Sequence, residues 1–312
     1  GTPKSIASGF DFSSAQSQAL AYECSLCELC TAVCPELLDP AGFFLEVRRR
    51  CVADGNFTPS VYRTILRYEK CGSSSLFSWY GLPKGGDTVF FPGCTLSGTR
   101  SGIVAELFRI IQEVVPTAGL VLDCCGKPSH DLGLTEGFRS LFGKISKHLT
   151  DHGIRTVITA CPNCTRVFRQ YGHGLTVKTL YECLQLKEKA VSGAAGPVVT
   201  VHDSCVLRDD VATQRAVRGL LAAMGYTVVE MPHSGRQTLC CGEGGMVEAV
   251  NPELARKWTA VRAREAAGRT IVTYCAGCAG FLKRVTPTVH LTDLLRHPIG
   301  DLPGNLRIPG AP

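Results

Sequence analysis

Two stretches of the chain repeat one cysteine pattern, in which a lone Cys is followed by Cys-Cys-Gly and then by Cys-x-x-Cys. The first copy comprises Cys94, Cys124, Cys125, Cys161 and Cys164, and the second comprises Cys205, Cys240, Cys241, Cys275 and Cys278. The intervals agree closely, except that the stretch from Cys94 to Cys124 is shorter than its counterpart. Thiolate sulfur is a soft ligand that selects iron-sulfur clusters or zinc. Because structural zinc needs only four ligands, a fifth cysteine in each copy favours an iron cluster with unusual ligation.

A third group of cysteines lies near the N-terminus. It comprises Cys24, Cys27, Cys30 and Cys34, with Pro35 directly after the last. This is the C-x2-C-x2-C-x3-C-P run of bacterial ferredoxins, and it predicts a [4Fe-4S] cubane. In two-cluster ferredoxins the fourth Cys of such a run ligates the other cluster. The run alone therefore does not identify the fourth ligand of the N-terminal cubane. Cys34, Cys51 or Cys71 could complete the site, a partner subunit could supply the ligand, or three ligands could leave the cluster labile.

Composition and length are those of a cytoplasmic redox protein. The chain has 312 residues, 17 cysteines and a net charge of +6. A chain of this size without a signal-peptide pattern at its start indicates reduced thiols rather than a disulfide scaffold. No apolar run approaches the roughly 18 residues of a membrane span. Basic residues are scattered without interleaved aromatics, which disfavours nucleic-acid binding. We therefore expect a cytoplasmic protein whose membrane association, if any, comes through a partner.

The elements around the cysteines are also repeated. β-rich runs at 88–91 and 198–201 lead to the lone cysteines, and runs at 156–159 and 270–273 lead to the Cys-x-x-Cys pairs. Helical stripes follow the two lone cysteines and long helices follow each Cys-Cys-Gly, so the chain alternates between strand and helix. This alternation predicts an α/β fold with mostly parallel sheets, whose ligands gather outside the carboxyl ends of the strands. The cysteines lie at those ends, and pseudo-twofold packing would bring the two sets face to face.

The pattern divides the chain into three parts. Residues 1–86 are predicted to form a small helical ferredoxin-like domain and a linker, since β-rich runs are scarce there and Phe43, Phe44 and Val47 share a helical face. Residues 87–196 and 197–312 are predicted to be two pseudo-symmetric Rossmann-like α/β domains.

Over about residues 20 to 295 the chain resembles the cysteine-rich CCG-domain proteins related to heterodisulfide reductase. The resemblance rests on the segments 202–205 (HDSC), 240–245 (CCGEGG) and 275–278 (CAGC), and on the ferredoxin-type run with the Asp39-Pro40 that follows it. It implies that each five-cysteine set holds a non-cubane [4Fe-4S] cluster and that the N-terminal run holds a cubane. It also implies that the two non-cubane clusters face each other and reduce a disulfide. This family usually carries two ferredoxin-type runs and this chain has one, which leaves the fourth cubane ligand in question.

The leading prediction is a heterodisulfide reductase-like oxidoreductase subunit that reduces a small-molecule or protein disulfide. Both five-cysteine sets are complete, whereas many electron-transfer members of this family have lost one. The predicted partner is an electron-donor or electron-acceptor subunit: a flavoprotein, a ferredoxin-like protein or a membrane cytochrome or quinone subunit. The alternative is a non-catalytic electron-transfer subunit of a flavin-dependent glycolate or lactate dehydrogenase or of a quinone-linked complex. A zinc or assembly scaffold would leave each fifth cysteine without a role.

Three non-cysteine side chains near the sets are candidate catalytic residues. Lys127 and His130 follow the first Cys-Cys-Gly, and His202 precedes Cys205. Each could donate a hydrogen bond or a proton to a leaving thiolate. The alternative is that they have no catalytic role: His202 would order the turn at the strand end, and Lys127 would be a solvent-exposed charge in a loop. Tight backbone turns beside the clusters, where a Cβ would collide or φ must be positive, are predicted at Gly126, Gly242 and Gly244.

Overall fold

A computed structural model describes residues 14–36, 38–184 and 196–296 of the chain. The first 13 residues of the predicted N-terminal domain, the end of the predicted first α/β domain and the chain after residue 296 fall outside these ranges.

The N-terminal domain is helical, as predicted. Its helices are α1 (Ala15–Tyr22), α2 (Leu29–Val33), α3 (Pro40–Ala53) and α4 (Arg63–Gly72). Helix α3 begins at Asp39-Pro40 because the Asp39 carboxylate accepts a hydrogen bond from the Gly42 N–H at 2.9 Å and Pro40 needs no donor of its own. The domain is small, and it closes its apolar core by packing Tyr22, Val47 and Tyr62 against Leu132 of the following domain.

The first α/β domain is built on a five-stranded sheet. Its strands are β1 (Trp79–Gly81), β2 (Thr88–Phe91), β3 (Gly119–Leu122), β4 (Thr156–Thr159) and β5 (Thr176–Thr179), in the order β1-β3-β2-β4-β5. Strands β2 to β5 are parallel, while β1 pairs with β3 in the antiparallel sense. Strand β1 comes from the segment predicted as linker, and its three residues are too few to show a periodicity. The Tyr80 hydroxyl fixes this edge by donating to the Asp123 carboxylate at 2.5 Å.

In the described part of this domain, up to residue 184, six helices follow the strands. They are α5 (Cys94–Thr99), α6 (Ser101–Val114), α7 (Lys127–Asp131), α8 (Thr135–Asp151), α9 (Pro162–Tyr171) and α10 (Leu180–Cys183). Helix α8 buries Phe138, Phe142, Ile145 and Leu149 against the sheet, which is the apolar face that its sequence predicts.

The second α/β domain repeats this plan with four parallel strands. They are β6 (Val198–His202), β7 (Thr227–Val228), β8 (Thr270–Thr273) and β9 (Thr288–His290), in the order β7-β6-β8-β9. Its helices are α11 (Val211–Ala223), α12 (Pro252–Ala266), α13 (Ala276–Leu282) and α14 (Leu291–Arg296), with 3-10 turns at Cys205–Leu207, Gly235–Gln237 and Gly244–Ala249. The prediction of an α/β fold with two similar halves is confirmed.

The two α/β domains share one apolar core. Leu107 of α6 and Leu220 of α11 belong to the same buried cluster, together with residues of both sheets. Tyr181 lies at the junction, where its hydroxyl is 3.1 Å from the Ala160 carbonyl and 3.0 Å from the Tyr274 carbonyl. These two residues directly precede Cys161 and Cys275, so one buried side chain fixes the two Cys-x-x-Cys segments relative to each other.

Candidate metal centres

The first five-cysteine set assembles at the carboxyl ends of the first sheet. Cys94 begins α5 directly after β2, the Cys124-Cys125 pair follows β3, and Cys161 ends the turn between β4 and α9. The thiols of Cys94 and Cys124 are hydrogen-bonded, and the thiol of Cys164 bonds to those of both Cys125 and Cys161. Cys94 and Cys161 are partly exposed, whereas the other three are buried. The predicted gathering of this set at one sheet edge is what the structure shows.

The second set has the same layout and is entirely buried. Its thiols form a hydrogen-bonded series that runs through Cys205, Cys240, Cys241, Cys278 and Cys275. Each Cys-x-x-Cys helix also contacts the element that carries the lone cysteine of the other copy: α9 packs on the turn at Cys205–Leu207, and α13 packs on α5. This reciprocal contact places the two sets on facing sides of the domain junction.

Hydrogen bonds between neighbouring thiols stabilise the thiolate form of one cysteine in each set, Cys94 and Cys240. Hydrogen bonding from Cys124 lowers the pKa of Cys94 to about 7. Hydrogen bonds from Cys205 and Cys241 likewise hold the pKa of Cys240 well below its usual range, and the Gly242 N–H adds a contact of 3.3 Å to its sulfur. The same contacts raise the pKa of partner thiols, Cys124 in the first set and Cys205 and Cys241 in the second, so only part of each set favours the thiolate that metals bind.

The N-terminal cysteines lie on a loop in which two non-glycine residues adopt the left-handed conformation. Leu26 and Glu28 have positive φ values of 53° and 59°, and the Leu26 N–H points to the Cys24 sulfur at 3.5 Å. A backbone N–H directed to a sulfur stabilises its anionic form. The Cys24, Cys27 and Cys30 thiols are close enough for their charges to interact.

The candidates for a fourth cubane ligand have different surroundings. Cys34 follows α2 on the same loop and is partly exposed. Cys51 is buried in the apolar core of the N-terminal domain. Cys71 is exposed, and the next residue, Gly72, adjoins the first five-cysteine set: a Cβ at Gly72 would lie 3.5 Å from that of Cys94. These surroundings favour Cys34 among the three.

Arginine side chains hold the N-terminal loop. Arg48 is fully buried and its Nη2 donates to the Cys24 carbonyl at 2.5 Å. Arg208, from the second α/β domain, donates to the Cys27 carbonyl through Nε at 2.8 Å and Nη2 at 2.6 Å. Arg166, from the first, pairs with the Glu28 carboxylate. Sequence reasoning did not single out Arg48, which begins a run of three arginines, although its position beside Val47, on the buried face of α3, was a signal of burial.

The loop lies against the second five-cysteine set. The hydrogen bond with Cys240 and burial raise the pKa of Cys205 most, and the charges on Cys240 and Cys27 raise it further. Gly244 permits the approach, since a Cβ there would lie 2.7 Å from the Ser25 carbonyl and 3.1 Å from the Cys240 sulfur.

Gly126 and Gly242 have positive φ values of 75° and 105°, the conformations expected at those turns. Contact of these glycines with a cofactor remains a prediction.

Lys127 and His130 interact with Asp131. Both donate toward its carboxylate, and the Nε2 of His130 is 2.8 Å from the Tyr171 hydroxyl. Burial alone would raise the pKa of Asp131, but Lys127 and His130 outweigh it and lower that pKa. Burial also lowers the pKa of His130. The side chains of Lys127 and His130 are therefore engaged with Asp131 and Tyr171, and their predicted part in thiolate protonation stays a prediction.

His202, in contrast, lies beside the second set. Its ring, Cys241 and Cys278 present nitrogen and sulfur atoms that all lie within 4.8 Å of one another. Burial and the neighbouring Arg262 lower the pKa of His202 to about 3, so the ring is neutral. Its Nε2 and the Nη2 of Arg262 are buried and lack hydrogen-bond partners among the described residues. Unpartnered donors beside thiols fit an anionic sulfur-rich group at this position.

Two further side chains contact the sets and were missed by sequence reasoning. The Glu243 carboxylate groups with Cys275 and Cys278, and burial, followed by Cys240 and Cys94, raises its pKa to about 7. Glu243 thus lies between the two sets; the only signal was that it follows the second Cys-Cys-Gly, where the first copy has a lysine. The Tyr68 hydroxyl hydrogen-bonds to Cys94, and burial raises its pKa to about 12. Nothing in the spacing pointed to Tyr68.

Both halves of the chain match one known protein family. The sequence model of the Cysteine-rich domain (CCG) matches the chain twice, at residues 88–169 and 199–283. The chain belongs to the CCG family. The two matched segments contain all ten cysteines of the five-cysteine sets.

The chain is similar to subunits of two reductases and to a ferredoxin. The chain is 27% identical to one subunit of the fumarate reductase (CoM/CoB) of Methanothermobacter marburgensis, over 84% of this chain and 56% of the relative. It is 22% identical to a probable membrane-anchored ferredoxin of Chromohalobacter salexigens, over 85% of this chain and 45% of the relative. It is also 22% identical to one subunit of the dihydromethanophenazine:CoB–CoM heterodisulfide reductase of Methanosarcina mazei, over 84% of this chain and 71% of the relative.

The chain spans about half the length of the first two of these relatives. Among the described residues, no helix has the length and apolar character needed to cross a membrane. CCG domains and iron-sulfur relatives together support iron-sulfur clusters as the cofactors of this chain.

Proposed function

We propose that this CCG protein is a reductase subunit of the heterodisulfide reductase type. In the proposed reaction a disulfide takes up two electrons and two protons, its S–S bond breaks, and two thiols leave. The observation that carries the proposal is that both five-cysteine sets are complete and face each other across the domain junction. The heterodisulfide reductase subunits among its relatives add support.

The cysteines are the proposed ligands. Cys94, Cys124, Cys125, Cys161 and Cys164 would hold one non-cubane [4Fe-4S] cluster, and Cys205, Cys240, Cys241, Cys275 and Cys278 a second. Cys24, Cys27, Cys30 and Cys34 would hold the cubane. When bound, such clusters supply one-electron transfer and irons that accept thiolate sulfur. The chain provides lowered thiol pKa values at Cys94 and Cys240, a junction held by Tyr181, and buried donors at His202 and Arg262.

Solvent access differs between the two sets, which bears on the substrate. Cys94 and Cys161 are partly exposed and the second set is buried, so we propose that a small or protein disulfide approaches from the side of the first set. The N-terminal loop adjoins the second set, and electrons from a flavoprotein, ferredoxin-like or membrane-bound partner subunit would enter there. The proposed location is the cytoplasm, with membrane association through such a partner.

Anaerobic turnover with a chemical reductant tests this function. Reduced methyl viologen would supply electrons to the iron-loaded protein, and a panel of symmetric and mixed aliphatic disulfides would serve as substrates. We expect two thiols released for each disulfide consumed, and loss of this activity in Cys125→Ala and in Cys241→Ala. Cys183→Ala is the matched control, since Cys183 lies outside both sets. Oxidation of viologen without thiol release from any disulfide would contradict the proposal.

The second candidate is a non-catalytic electron-transfer subunit of a flavin-dependent 2-hydroxy acid dehydrogenase or a quinone-linked complex. It is favoured by the similarity to a probable membrane-anchored ferredoxin. In that case the reduced protein would pass electrons to a soluble quinone analogue, and no disulfide would yield thiols.

A further inference from the structure

The two five-cysteine sets differ in the side chains around their corresponding sulfurs. The last residue of the central strand, three positions before the lone cysteine, is Phe91 in the first copy and His202 in the second. Both side chains are fully buried. The helix that follows Cys-Cys-Gly carries Ile145 in the first copy and Arg262 at the corresponding position in the second. An apolar pair in one copy is thus replaced by two nitrogen donors in the other.

The direction of the hydrogen bond between His202 and Arg262 fixes the histidine tautomer. Arg262 Nε lies 3.1 Å from His202 Nδ1, and a guanidinium can only donate. The neutral ring must therefore accept at Nδ1 and carry its proton on Nε2. Ligation of a metal through Nε2 would require that proton to leave, while Nδ1 is already occupied. His202 is consequently a hydrogen-bond donor to its surroundings and not a metal ligand.

The His202 ring lies next to two sulfurs, and Arg262 is near enough to Cys241 and Cys278 for their charges to interact. His202 Nε2 has no partner within the described residues, and the ring groups with Cys241 and Cys278. Arg262 is held by the His233 carbonyl at 2.9 Å and by the Glu265 carboxylate, which leaves its buried Nη2 without a partner there as well.

In the first copy, the equivalent cysteines, Cys125 and Cys164, pack in one apolar cluster with Phe91 and Ile145. Cys241 and Cys278 also belong to an apolar cluster, with Met231 and Ile271, but the His202 ring lies beside them. The two copies therefore differ in the nitrogen donors near these sulfurs.

We propose that His202 and Arg262 form a donor pair to the sulfurs of the second cluster, which makes the second site the easier of the two to reduce. The inference rests on the proposed function. Reduction adds negative charge to a cluster, and hydrogen bonds to its sulfurs raise the reduction potential. The same site adjoins the N-terminal loop, so an arriving electron resides first at the second set. His202 and Arg262 act as tuning residues through the cluster and do not touch the substrate.

A potentiometric titration followed by EPR on the iron-loaded full chain tests the pair. We expect the wild type to show two CCG signals of different midpoint potential, with the higher-potential signal absent from Cys241→Ala. His202→Phe introduces the residue of the first copy and removes one charge-assisted hydrogen bond. The equilibrium constant for reduction of the cluster should fall about tenfold, so the midpoint potential of the higher-potential signal should fall by about 59 mV. His202→Gln keeps an N–H near the position of Nε2 and should restore most of the potential.

The matched control is Phe91→Leu, which changes the corresponding buried position without altering a donor and should leave both potentials unchanged. If His202→Phe fails to retain iron, Arg262→Met decides, because it removes the second donor and leaves the ring in place. Equal wild-type potentials, or an unshifted signal in both His202→Phe and Arg262→Met, would overturn the inference. Absence of iron from the second set of the wild type would instead contradict the proposed function.

Discussion

Replacement of Arg48 by Met should destabilise the protein by about 3 kcal/mol. Arg48 donates to four carbonyls: Ala21 at 2.9 Å, Asp131 at 2.7 Å, Gly245 at 3.1 Å and Cys24 at 2.5 Å. Bonds from a charged donor contribute at least about 1.5 kcal/mol each, or about 6 kcal/mol together. Four bonds from one guanidinium share its charge and are not additive, so we expect about half of that sum, or about 3 kcal/mol.

The free energy of unfolding would be measured by anaerobic urea titration followed by circular dichroism, on preparations matched for iron content. Arg49→Met is the control, because Arg49 is partly exposed and its ion pair with Glu46 is worth less than about 1 kcal/mol. The four carbonyls belong to the N-terminal domain and to both α/β domains, so Arg48→Met should also accelerate loss of the N-terminal iron to a chelator. A loss in Arg48→Met no larger than that in Arg49→Met would refute this reasoning.

Three more variants test the N-terminal site. Arg208→Met removes both donors to the Cys27 carbonyl and should destabilise the loop by about 2 kcal/mol, measurable as faster chelation of its iron. Gly244→Ala places a Cβ against the Ser25 carbonyl and should cost about 1 to 3 kcal/mol and lower the iron content; unchanged iron and stability would argue against the close approach. Cys51→Ala should keep full iron content, because Cys51 is a core residue; loss of iron would make it a ligand.

Much of the fold could be predicted from the sequence, because local patterns determine it. The runs before the cysteines are short and β-rich, and α8 shows its buried face as a helical stripe, so strand and helix order follow from periodicity. Strand β1 was not predicted, since Trp79–Gly81 gains its strand character only by pairing with β3.

Only those parts of the site that the spacing of the cysteines determines were predictable. The gathering of each five-cysteine set follows from its position at the ends of parallel strands. The burial of Arg48, the position of Glu243 between the sets and the contact of Tyr68 with Cys94 arise from packing between segments far apart in sequence. The different surroundings of His130 and His202 likewise depend on the tertiary neighbours Tyr171 and Arg262.

The most direct test of the account is the iron and acid-labile sulfide content per chain of anaerobically purified protein, compared with Cys125→Ala and Cys241→Ala. Three [4Fe-4S] clusters correspond to about twelve irons, and each substitution should remove about four. About four irons in the wild type, unaffected by either substitution, would mean that only the N-terminal site holds a cluster and would contradict the account.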